Sequence, residues 1–193
     1  MERRSFLLAF LPGLAAAAGE RQPPLTRGAA DAKYKIHLID SGHARRGSTI
    51  VFPQNELNEF ARWRLPQLVP QGAREPRLEI GNGTATGHLL VDFLKMRQAN
   101  GAETPWLISK MIEGERPLIV HARIDSGHGQ ATVHVDSVEL SGVSVSGGAL
   151  DFLINTFFLP VFPEAKINKP FALADGIERI EAIPGQARVV MKP

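Results

Sequence analysis

Six histidines give this chain its widest range of side-chain chemistry: His37, His43, His88, His121, His128 and His134. Imidazoles hold metals or relay protons when spacing brings partners together. Here no HExxH pattern or other close ligand pair occurs. His128 and His134, six apart, could share a strand face, but His128 falls in an Asp125-Ser126-Gly127-His128-Gly129 segment with turn chemistry. Strand-surface positions account for all six, and no metal is assigned. Nucleophilic serine chemistry needs a strained GxSxG elbow, which is absent. Ser141 to Gly148 is rich in Gly and Ser and precedes a helical pattern, as phosphate-binding loops do. It lacks the Lys of a P-loop and the spacing of a dinucleotide fingerprint, so it reads as a strand end leading into a helix. Carboxylates are dispersed singly, leaving no acid–base pair to name. An enzyme reading would need His121 or His134 to converge with Asp136 beside a polar cleft. No catalytic residue, metal or cofactor is therefore expected.

The informative chemistry is apolar. Residues 147–159 (GGALDFLINTFFL) form a helical pattern in which Leu150, Phe152, Leu153, Ile154, Phe157, Phe158 and Leu159 cover most of the circumference. Asp151 and Asn155, four apart, leave one narrow polar stripe. A helix apolar nearly all round is buried on several sides or meets lipid. It is either a central core helix or the wall of an apolar groove, and contact with a membrane surface fits the same feature. If it is a wall, Leu57, Phe60, Phe152, Phe157 and Phe158 are the expected lining.

Other elements must position that helix. Tyr34, Ile36 and Leu38 alternate as in a strand, and Ser48 to Phe52 resumes an extended pattern that Pro53 stops. Residues 54–68 are amphipathic, with Leu57, Phe60, Ala61, Leu65 and Leu68 at helical spacing. Asn82-Gly83, between alternating runs, signals a hairpin. Residues 104–112 predict a short helix with Thr104 at its cap and Pro105 in its first turn. Long strands follow, through Leu118, Val120, Ala122 and Ile124, then through Ala131, Val133 and Val135 to Leu140. The chain closes on a hairpin turned by Pro184-Gly185. Ile39-Asp40-Ser41-Gly42-His43 recurs as Ile124-Asp125-Ser126-Gly127-His128, which reads as two similar turns after strands. Short connections favour antiparallel pairing. The expected class is α+β: a mostly antiparallel, curved sheet of long strands packed on about three helices.

Residues 1–18 read as an export signal: Arg3-Arg4, an apolar run from Phe6 to Leu14, then small residues. Arg3-Arg4-Ser5-Phe6-Leu7 also resembles a twin-arginine signal. Residues 19–32 read as a polar linker and 33–193 as one α+β domain, working in the periplasm or otherwise outside the cytoplasm. Lys and Arg number 22 against 20 Asp and Glu; without Glu2, Arg3 and Arg4 the balance is 20 against 19. That near-neutrality argues against nucleic acid as a partner. No Cys is present, so stability rests on the core and no disulfide.

Two stretches carry a family resemblance. Pro53 to Phe60 resembles the early acidic-Leu-Asn helix of bacterial envelope lipid-binding domains of the LmeA-like type, similar in style to tubular lipid-binding folds. Ser141 to Leu153, Lys169-Pro170-Phe171-Ala172-Leu173 and Gly176 to Ile180 resemble their closing arrangement of strand, apolar helix, Pro-Phe, Gly-Ile and strand. The resemblance spans roughly 48–191 and implies a long sheet curled around helices with an apolar ligand between them. It carries over no catalytic residue. The resulting expectation is an exported envelope protein that binds or carries a lipid or other apolar small molecule. The alternative is an envelope scaffold without a ligand, acting through an exposed strand edge.

Overall fold

The computed structural model describes residues 23–69, 72–99, 114–160 and 166–193. The expected signal at 1–18, the expected helix at 104–112 and Val161-Phe162 lie outside the described residues. The fold is α+β, with antiparallel sheets and a curved, unclosed large sheet.

The first element departs from expectation. Residues 34–38 are not a strand; they belong to a helix, α1 (Arg27–Asp40), which also takes in 27–32 of the expected linker. Ala29, Ala32, Ile36 and Ile39 recur three or four apart and turn one stripe toward the core. Thr26 caps the start, its hydroxyl accepting the Ala29 N–H at 3.3 Å. At the other end Ser41 N–H donates to the His37 carbonyl and Gly42 adopts φ +71°, so the first Asp-Ser-Gly-His copy ends a helix.

Next come β1 (Thr49–Pro53) and α2 (Gln54–Leu68), as the pattern predicts. Glu56 and Glu59 are not idle surface charges. Glu56 pairs with Lys35 at 2.5 Å, and Glu59 accepts from the Thr26 hydroxyl at 2.5 Å and the Gly28 N–H at 3.0 Å. Lys33 sits 4.9 Å above the Trp63 ring. Together these tie α1 to α2.

β8 (Ile177–Ile183) and β9 (Gln186–Met191) join β1 in a three-stranded sheet of order β1-β9-β8. α1 and the first half of α2 cover it. Ile39 and Ile177 are fully buried there, with Phe52, Val189 and Met191 around them and Leu57 and Phe60 packed against them.

The larger sheet runs β2 (Ala73–Ile80), β3 (Thr84–Asp92), β4 (Glu115–Gly127), β5 (Gln130–Leu140), β6 (Val143–Val145), all antiparallel. β7 (Phe171–Ala172) adds to the outer side of β5. The hairpins are tight where the sequence allows left-handed backbone: His128 and Gly129 both have positive φ, as do Ser141 and Gly142. Hairpin tips are fastened to the small sheet by main-chain bonds. Gly83 N–H donates to the Ala182 carbonyl at 2.9 Å and Gly129 N–H to the Glu178 carbonyl at 2.8 Å. α3 (Phe93–Ala99) extends directly from β3. Asp92 starts it, its Oδ1 accepting the Lys95 N–H at 3.0 Å. α4 (Gly147–Leu153) continues through a π turn, Ile154–Phe158, in which Leu159 N–H reaches back to the Ile154 carbonyl at 2.9 Å. A second core forms here from Val69, Val91, Phe93, Met96 and Phe157.

The outer edge of β5, and part of that of β2, are covered. The Asn58 carboxamide bonds both backbone groups of Leu78 on β2, and Gln54 Oε1 accepts the Ile80 N–H. On the far side, β6, Asn168 and β7 occupy the outer edge of β5 in succession.

A candidate apolar ligand cavity

One face of the large sheet is built from aliphatic residues because strand side chains alternate. Leu89 and Val91 on β3, Leu118, Val120 and Ala122 on β4, and Val133 and Val135 on β5 all point to it. Val138 points there too, although it is odd in step with Val135. A β-bulge resolves this: His121 pairs with Ser137 and Ala122 with Val135, so Asp136 is an extra residue and the alternation restarts after it.

α4 and its π turn lie across this face. Leu150, Leu153, Ile154, Phe157 and Phe158, at helical spacing, point down onto the sheet. Leu65 and Val69 at the end of α2, and Phe93 and Met96 on α3, close one end. Side chains do not fill the space between. A cavity of about 360 Å³ remains, and nineteen of its twenty described lining residues are apolar. Lys166 is the exception; it and Ile167 form part of the rim.

The helix is thus a cover and not a central core element. None of α4 proper is buried, and Phe152 and Phe158 remain 40% and 38% exposed. Phe157 is the anchor: it is 3% exposed and stacks edge-on against Phe93, ring centres 4.7 Å apart, and against Phe152 at 6.0 Å.

Of the five residues expected to line a groove, Phe157 and Phe158 do so. Phe152 lies beside Phe157 outside the lining. Leu57 and Phe60 are elsewhere, packed against the core beneath α1. α2 does reach the cavity, but two turns later, through Leu65 and Val69. The strand residues that make most of the floor were not singled out. Their alternation was visible in the sequence; which face the helix would cover was not.

The polar side chains considered for catalysis lie on the opposite sheet face and do not converge. Asp136 forms a two-pronged pair with Arg123 at 2.9 and 3.0 Å, His134 Nε2 lies 3.1 Å from Asp125, and His121 Nδ1 lies 3.1 Å from the Thr86 hydroxyl. Among the described residues no group of three His, Asp or Glu side chains is placed to hold a metal. Among the same residues, no helix is long and apolar enough to cross a membrane. No known protein family, curated protein or solved structure matches the chain, so the cavity and its lining are what bear on function.

Proposed function

We propose that this is an exported envelope protein that binds or carries an apolar, lipid-like ligand between the large sheet and α4. The observation that carries the reading is the cavity of about 360 Å³ with a nearly unbroken apolar lining. The pocket is open at its mouth, so when it is empty its apolar walls face water instead of packing. That water finds few partners, since among the described lining residues Lys166 alone has a polar side chain. An acyl chain gains about 0.8 kcal/mol for each CH₂ buried. The resemblance of residues 48–191 to envelope lipid-binding domains, and the leader-like residues 1–18, agree with this reading. The alternative of a ligand-free scaffold working through a bare strand edge draws less support, since the Leu78–Ile80 end of β2 and the outer edge of β5 are occupied.

Native mass spectrometry of the full chain, purified from envelopes without detergent, tests the proposal, with Ala122→Phe as the partner variant. The new ring would occupy the cavity from its floor. A reproducible bound lipid in the parent and none in a folded Ala122→Phe protein is the expected result. An empty parent that also ignores added single-chain amphiphiles would overturn the reading.

A further inference from the structure

We infer that the ligand is a single-chain amphiphile with an anionic head, its tail in the cavity and its carboxylate or phosphate at Lys166. This rests on the reading of the cavity as a ligand site and adds the head-group chemistry and the chain number.

Volume sets the chain number. A cavity of about 150 Å³ takes one six-carbon ring. By that scale about 360 Å³ takes roughly a dozen carbons, one chain and not two. Charge sets the head group. Among the described residues, Lys166 is the one charged residue in the lining and has no carboxylate partner. It is exposed, so its ammonium stays in water at the mouth while its stem faces the apolar interior.

The lysine is also held in place. Its neighbour Ile167 bridges to Val133, Asn168 N–H donates to the Val133 carbonyl at 2.9 Å, and Asn168 Oδ1 accepts the Val135 N–H at 2.9 Å. Asn168 adopts φ +57°, a left-handed conformation that Asn tolerates better than most residues. The strap is therefore stitched to the same strand that supplies Val133 and Val135 to the cavity floor. The backbone beside the lysine is thereby anchored at the mouth, and the long stem lets the ammonium reach a head group there.

Isothermal titration of the full-length chain with four twelve-carbon probes tests this: dodecanoate, dodecyl phosphate, dodecanol and dodecyltrimethylammonium, each below its micelle concentration at pH 8. At low salt one or both anions should bind about fivefold tighter than dodecanol, the scale of an exposed ion pair. That margin should shrink in 0.5 M salt. Lys166→Gln, which keeps most of the stem, should remove that margin, and Lys166→Glu should shift the preference to dodecyltrimethylammonium. A preference for one anion alone identifies the head as carboxylate or as phosphate. Equal binding of dodecanol and both anions by the parent would overturn the head-group assignment and leave the cavity reading standing. Binding of none of the four would overturn both.

Discussion

The side-chain amide of Asn58 pairs with both backbone groups of Leu78: its Oδ1 accepts the Leu78 N–H at 2.6 Å and its Nδ2 donates to the Leu78 carbonyl at 2.9 Å. A helix side chain thus does for β2 what a neighbouring strand would do. Asn58→Leu keeps the size and loses both bonds. Each net hydrogen bond is worth about 0.5–1.5 kcal/mol, so the expected loss is about 1–3 kcal/mol. Urea unfolding should show a lower midpoint with unchanged slope. Asn58→Asp keeps only the acceptor and should fall between parent and Leu.

Two carboxyl groups give opposite pH dependences. Burial raises the pKa of Asp40, against a smaller lowering by His37, and its Oδ1 is buried without a hydrogen-bond partner. Folding therefore favours its protonated form. The penalty is full at neutral pH and is relieved as pH falls toward the ordinary value of 3.8. Glu59 is lowered, chiefly by the Thr26 hydroxyl and then by the Gly28 and Ala29 amides outweighing its desolvation. Its contribution is present above the ordinary 4.5 and is lost as pH falls below it. Thermal melts from pH 8 to 3 should therefore show Asp40→Asn more stable than the parent at pH 7, with the difference vanishing in acid. Glu59→Gln should be less stable at pH 7, converging with the parent at low pH.

Phe157 and Phe158 are adjacent but should behave differently. Phe157, 3% exposed and stacked on Phe93, belongs to the second core as well as to the lining. Phe157→Ala should cost about 3–5 kcal/mol, and an aspartate there should prevent folding. Phe158 is 38% exposed, so Phe158→Ala should change the unfolding free energy much less. Phe158→Ala is thus the usable variant for separating ligand affinity from stability, and circular dichroism melts decide between them.

Gly72 has no room for a side chain. A Cβ there would overlap Met96 Cγ and lie 3.1 Å from Met96 Cα, and the second contact is with backbone. Met96 forms part of the closed end of the cavity, so Gly72→Ala must push α3. The expected cost is about 1–3 kcal/mol, and ligand affinity should fall with it. Gly72→Ala combined with Met96→Ala should recover part of the stability, which denaturation of the single and double variants measures.

Much of the frame was legible. α2 announced itself because its apolar residues recur at helical spacing behind Pro53, and Asn82-Gly83 marked its hairpin, where Gly83 takes the left-handed φ of +67° that glycine favours. α1 was misread for a physical reason: Tyr34, Ile36 and Leu38 satisfy a period of two, and the true stripe is read only by including Ala29 and Ala32, small residues that carry little pattern. α3 was missed although Asp92 before Phe93 is a capping signal; Leu89 to Val91 made the strand seem to continue. The repeated Ile-Asp-Ser-Gly-His shows how little five residues decide, since one copy ends a helix and the other ends a strand in a hairpin. The apolar helix over the cavity was legible, Phe157 and Phe158 with it, but the floor and the size of the space were not. That space is volume left unfilled by residues far apart in the chain, and no local pattern encodes a vacancy.

The molecule has two cores, and α2 is the only described helix that enters both, Leu57 and Phe60 in one and Leu65 and Leu68 in the other. The first holds its two fully buried isoleucines, while the second surrounds unfilled space beneath a cover whose α4 portion has no buried residue. Such halves should open at different free energies, the amides of α4 exchanging with solvent long before those of β8 and β9. On the proposed reading, a carrier built this way would need no hinge between domains to surrender its cargo: the cover would open locally while the other half keeps the chain folded.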